Sequence, residues 1–106
     1  MSNLPTNEQI ALWLDPERKR DGWWTVIGYT GPDFYAPGVC EEEVAPELEQ
    51  QGCWWARQKT KGGEYETTVY RSSKTKHQTS EIIGRHAHHP TAINLALAKI
   101  KEATHA

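Results

Sequence analysis

Cysteine is scarce in this sequence: the 106 residues hold only Cys40 and Cys53, and neither belongs to a C-x-x-C pair. The near-neighbour ligand pairs usual in structural zinc sites are therefore missing. Two free, buried thiols in a reducing compartment are the expected state, with a disulfide between them as the lesser alternative. No apolar run approaches the roughly 20 residues of a membrane span. No charged start followed by an apolar stretch suggests a signal peptide. The expectation is a soluble, intracellular protein forming one domain over residues 1–106. Internal repeats and low-complexity tracts are absent. So are G-x-S-x-G, H-E-x-x-H and any glycine-rich phosphate loop, which leaves no motif for a hydrolase, a zinc protease or a nucleotide-binding enzyme. No enzymatic activity and no cofactor are expected.

What is present fits a globular chain, with 37% hydrophobic and 25% charged residues. The net charge of −2 conceals a division. Residues 1–52 carry three basic and ten acidic side chains, whereas residues 53–106 carry nine basic and four acidic ones. Such polarity steers charged partners without identifying them. Four of the five tryptophans form the pairs Trp23-Trp24 and Trp54-Trp55. On a strand, each pair sends one ring to each face.

Local signals give the order α–β–α–β–β–β–α, an α+β domain with a small antiparallel sheet of three to four strands and three helices. Thr6-Asn7-Glu8-Gln9 has capping-box spacing ahead of Ile10, Leu12, Trp13 and Leu14, and Pro16 closes that helix. Trp24 to Tyr29 has strand composition, and Thr30 to Gly38 reads as an irregular loop. Cys40, Val44 and Leu48 repeat at helical spacing within 39–51, with Glu41, Glu42 and Glu43 in the first turn. Pro46 interrupts this helix, which must start near Ala45 or kink there. Two strand-like runs, 53–59 and 65–71, flank Gly62-Gly63 and predict a hairpin. A third strand over 81–87 follows the polar, basic stretch 72–80, and Pro90 opens a helix bearing Ile93, Ala96, Leu97 and Ile100. The expected core is Leu12, Trp13, Val26, Val44, Leu48, Trp54, Val69, Ile82, Ile93, Ala96, Leu97 and Ile100.

Pro32-Asp33-Phe34-Tyr35, the helix end Leu48-Glu49-Gln50-Gln51-Gly52, Trp54-Trp55 opening a strand, and the closing run His89-Pro90-Thr91-Ala92-Ile93-Asn94-Leu95-Ala96-Leu97-Ala98-Lys99 carry a resemblance. Over residues 32–103 the chain resembles the phage ABA sandwich domain, a group of small phage and prophage proteins of unknown function. The resemblance implies a compact α+β fold and a place in the cytoplasm of a bacterial host cell. It supplies no catalytic residues. The stretch Trp23–Tyr29 departs from the family pattern.

The most direct hint of chemistry is His86-x-His88-His89, which His77 or Cys53 could approach. No acidic residue falls inside this cluster, and the resemblance sets it at a strand-to-helix corner with His89 near the N-cap. A corner, not a metal site, is the favoured reading. Cys40 at a helix start could have a depressed pKa, but its apolar stripe argues for an inert thiol. Glu41, Glu42 and Glu43 point about 100° apart on a helix and do not converge.

Two binding functions remain. Trp55, Arg57, Lys59 and Lys61 share one side of the first hairpin strand, and Arg71, Lys74 and Lys76 extend the charge. That aromatic and basic platform over 54–76 suits single-stranded nucleic acid, although the pI of about 6.2 is low for a dedicated binder. The other function is docking on a host or phage protein, with Tyr35, Tyr65, Tyr70 and Arg71 as anchors. Protein binding is the expected function, and an inhibitor of host defence such as an anti-CRISPR is one form of it.

Overall fold

The computed structural model of the protein describes residues 4–72 and 80–104. Thr6 caps the first helix, α1 (Asn7–Leu14), through both capping-box bonds: its hydroxyl accepts from the Gln9 amide at 3.1 Å, and its amide donates to the Gln9 side chain at 2.8 Å. The segment expected as one strand is a two-stranded ribbon, β1 (Trp24–Thr25) and β2 (Gly28–Tyr29), turning at Val26-Ile27. Val26 is therefore no core residue. A ribbon of two-residue strands is too short to return its turn to the protein, and both Val26 and Ile27 are essentially fully exposed.

A continuous helical stretch follows: α2 (Pro37–Val39), a π-helical turn over Cys40–Val44, and α3 (Ala45–Gln50). The π turn resolves the Pro46 problem. The Ala45 amide reaches back five residues to the Cys40 carbonyl, and the widened turn precedes the proline that has no N–H to offer. The helix neither stops nor restarts there. At Gly52 the backbone takes φ +79°, the left-handed stop that suits glycine.

Strands β3 (Cys53–Lys59), β4 (Tyr65–Ser72) and β5 (Ser80–His86) form an antiparallel sheet in the order β3-β4-β5. The first pair runs in unbroken register from Cys53 opposite Arg71 to Lys59 opposite Tyr65. The second slips by one residue between Val69 and Tyr70, bulging β5 at Ile83. The last helix, α4 (His89–Thr104), lies across β4 and β5. Its approach depends on Gly84: a β-carbon there would stand 2.5 Å from the Ala92 carbonyl oxygen and 3.1 Å from the Ala96 nitrogen.

The core lies between α4 and the sheet and continues to α1 and the α2–α3 stretch. Ile10, Phe34, Val44, Leu48, Val69, Ile93 and Leu97 are fully enclosed. Two asparagines hold the loop that carries Phe34. Asn7 accepts from its amide at 2.8 Å, and Asn94 donates to its carbonyl at 3.0 Å. Lys101 reaches Glu47 at 2.9 Å and ties α4 to α3.

Trp54 and Ile82 are two further corrections to the expected core. They are 47% and 43% exposed, on the sheet face away from α4. Leu12 is only half-buried and lies outside the core cluster. Because α4 packs on Val69 and Gly84, the inward residue of β3 is the one registered with Val69. That residue is Trp55, which packs against the core.

Candidate binding surface

In an antiparallel pair, residues directly opposite each other point to the same face. The register therefore sorts the side chains. Trp55, Arg57, Lys59, Val69, Thr67, Tyr65 and Arg71 are on the helix-bearing face, and Trp54, Ala56, Gln58, Glu66, Thr68 and Tyr70 are on the other. Ile82, opposite Tyr70, and Arg85, opposite Thr68, complete the second face.

On this open face Trp54 and Tyr70 stack at 4.2 Å between ring centroids and 17° between planes. Ile82 extends the row across the third strand. Beside it, Arg85 meets Glu66 at 3.6 Å, so the flank bears paired rather than free charge. Aromatic stacking of this kind stabilises by about 0.5–1.5 kcal/mol beyond burial. It also presents a stiff apolar ridge to solvent.

The seven expected contact residues do not assemble into one surface. Tyr70 alone is on the open face. Trp55 is turned inward, and Tyr65 and Lys59 are exposed at the hairpin end of the opposite face. Arg71 is half-buried at the other end of β4. Tyr35 is half-buried too, its hydroxyl donating to the Pro5 carbonyl at 2.5 Å, and burial followed by the nearby Asp33 charge raises its pKa. It is a structural pin rather than a loop anchor. Lys74, Lys76 and His77 lie outside the described residues. Trp55, Arg57 and Lys59 do share one side of β3 as the alternation implies, but Trp55 packs against the core there, and the exposed Trp54–Tyr70 ridge is on the other side.

Arg57 is instead the end of a polar chain between the sheet and the helices. Its guanidinium donates to Thr67 Oγ1 at 2.9 Å, Thr67 Oγ1 pairs with His89 Nδ1 at 2.9 Å, and His89 Nε2 meets Glu41 Oε1 at 2.5 Å. Arginine only donates, so the Thr67 oxygen is the acceptor in its bond with Arg57. Carboxylate, imidazole and hydroxyl stand in the order of a nucleophile relay. Thr67 is fully buried, however, and its oxygen already accepts from Arg57. The chain orients His89 and locks β4 to α4. It does not present a nucleophile.

The other histidines serve the corner. The His88 amide donates to His86 Nδ1 at 3.0 Å, His88 Nδ1 bonds Thr91 Oγ1 at 2.8 Å, and the His88 carbonyl accepts from the Ala92 amide. His88, one residue earlier than expected, stands just outside the helix. Among the described residues no three His, Cys, Asp or Glu side chains are grouped to hold a metal ion. Burial, reinforced by the neighbouring Glu41 carboxylate, pushes the Cys40 thiol up to about 12. Burial likewise raises Cys53, against the opposing pull of Arg71. Neither thiol is a ready nucleophile.

Sequence reasoning missed both the Trp54–Tyr70–Ile82 row and the Glu41–His89–Thr67–Arg57 chain. The row was within reach: pairing Lys59 with Tyr65 across the five-residue loop already sets Trp54 beside Tyr70. The chain joins four separate segments and has no local signal. No protein-family model, no curated protein and no solved structure matches this chain.

Proposed function

We propose that this protein is a non-enzymatic binding module that docks on another protein through the open face of its three-stranded sheet. One observation carries the reading: a stacked Trp54–Tyr70 pair and Ile82 form an apolar row that no described element covers. Tryptophan and tyrosine are the usual interface anchors because they remove much apolar area from water with few rotors to immobilise. The paired Glu66 and Arg85 give a polar rim without net charge, which favours a protein surface over a polyanion. The buried, arginine-capped Thr67 and the raised thiols support a non-catalytic role. The resemblance to phage ABA sandwich proteins suggests the setting, a phage or prophage accessory protein in the cytoplasm of its bacterial host. An inhibitor of host defence, such as an anti-CRISPR, is its most concrete form.

The test is affinity capture from bacterial lysate with three baits of equal thermal stability. Wild type and a Lys59→Glu, Lys61→Glu variant, changed at two exposed cations of the hairpin, should retain the same protein, and a Trp54→Ser, Ile82→Thr variant should lose it. Recovery of nucleic acid that is released by salt and abolished only by the charge reversal would reverse the assignment.

A further inference from the structure

The three-stranded sheet has two edges, and they differ. β5 is bulged at Ile83 and overlain by α4. β3 is regular over seven residues and contains no proline. Its hydrogen-bond parity can be read from its ends. Thr60 donates to the Glu64 carbonyl at 2.7 Å, and Ser72 donates to the Gly52 carbonyl at 3.3 Å. Even-numbered residues of β3 therefore exchange bonds with β4, and the N–H and C=O groups of Cys53, Trp55, Arg57 and Lys59 point outward. No described residue pairs with these groups, and such a row is a template for another strand.

We infer that a second copy of this chain pairs antiparallel with this edge, about a twofold axis at Ala56, to close a six-stranded sheet. The inference stands apart from the open-face reading, because it uses the backbone edge and needs no other protein. Parity allows a twofold axis at Trp55, Ala56 or Arg57, where outward-pointing residues meet outward-pointing residues. An axis at Arg57 sets two guanidinium groups opposite each other. An axis at Trp55 leaves Lys59 beyond the partner strand and shortens the ladder. The Ala56 axis uses all seven residues. It sets Arg57 across from Trp55 and Lys59 across from Cys53, so no cation meets a cation, and Trp54 lies across from Gln58. The two cations, which would guard the edge against other alignments, select this one. Both open faces then become one surface.

At the axis the two Ala56 residues form a non-hydrogen-bonded pair with α-carbons about 4.5 Å apart, within the span a disulfide accepts. The Gln58 pair lies about 14 Å apart, four residues of strand rise. Sedimentation equilibrium of the full chain should show a concentration-dependent dimer. Under mild oxidation Ala56→Cys should become a covalent dimer and Gln58→Cys should stay monomeric, the native thiols being buried. Lys59→Pro removes one outward N–H without touching the ladder to β4. It should shift the equilibrium toward monomer at unchanged thermal stability. A monomer at every concentration, equal crosslinking of the two cysteine variants, or a dimer unaffected by Lys59→Pro would overturn the inference.

Discussion

Gly84→Ala is the substitution that this packing tolerates least for its size. The added methyl would stand 2.5 Å from the Ala92 carbonyl oxygen and 3.2 Å from the Ala96 β-carbon, whereas ordinary contact begins at 3.4 Å. The first obstacle is helix backbone, which cannot rotate away as a side chain would. Relief requires α4 to retreat by about 0.9 Å, and a gap of that size forfeits a quarter to a half of each dispersion contact along it. Ile93, Ala96, Leu97 and Ile100 all sit on the retreating face. Overpacking ordinarily costs about 1–3 kcal/mol, and a backbone clash belongs in the upper half of that range. Urea titration should show a loss of about 2–3 kcal/mol at unchanged slope. Gly38→Ala is the matched control: nothing lies within 4 Å of its β-carbon position, and it should be neutral or stabilising by up to about 1 kcal/mol. A Gly84→Ala loss below about 0.5 kcal/mol would refute the close approach of α4 to β5.

Leu97→Ala empties a fully enclosed site and should cost about 2–5 kcal/mol in the same titration. Asp15 organises the loop after α1, accepting from the Lys19 amide at 3.0 Å, the Arg20 amide at 2.9 Å and the Trp24 indole at 2.8 Å. Desolvation acts to raise its pKa, but these bonds and the Arg20 charge outweigh it and hold the carboxyl below the usual carboxylate range. A depressed folded-state pKa stabilises above the unfolded value and is lost as pH falls through the folded one. Asp15→Asn should therefore lower the melting temperature at neutral pH, and the difference from wild type should shrink as the solution is acidified below about pH 4. Cys40, held protonated to about pH 12, should resist alkylation in the folded protein at pH 8 and react promptly in urea.

The fold was largely legible where its causes are local. The Thr6–Gln9 capping box, the Gly62-Gly63 hairpin and the Ile93–Ile100 spacing each act within a few residues, and each appears as expected in α1, the β3–β4 pair and α4. The tryptophan pairs were ambiguous for a physical reason. A period of two sends one of two equal rings inward, and only the position of α4 over Val69 and Gly84 decides that Trp55, not Trp54, is the inward one. Val26 looked like core because its composition is that of a strand, yet a two-residue ribbon leaves it at the tip. Pro46 left two alternatives, a late start near Ala45 or a kink, because the π turn that accommodates it depends on the Ala45–Cys40 bond, which no residue type announces. The expected contacts were scattered for the same reason as the tryptophans: five of the seven share the face that α4 partly covers, and only Tyr70 is on the other.

Hydroxyl-radical footprinting of the free protein and of the protein bound to its captured partner tests the central claim most directly. In the free protein Trp54 and Ile82 should oxidise readily, while the buried Trp23 and the inward Trp55 are oxidised slowly. On binding, protection should fall on Trp54, Tyr70 and Ile82 together and leave Tyr65 unchanged. Unchanged oxidation at all three on binding, or protection confined to Tyr65 and the Arg57–Lys59 end of the opposite face, would contradict docking through the open sheet.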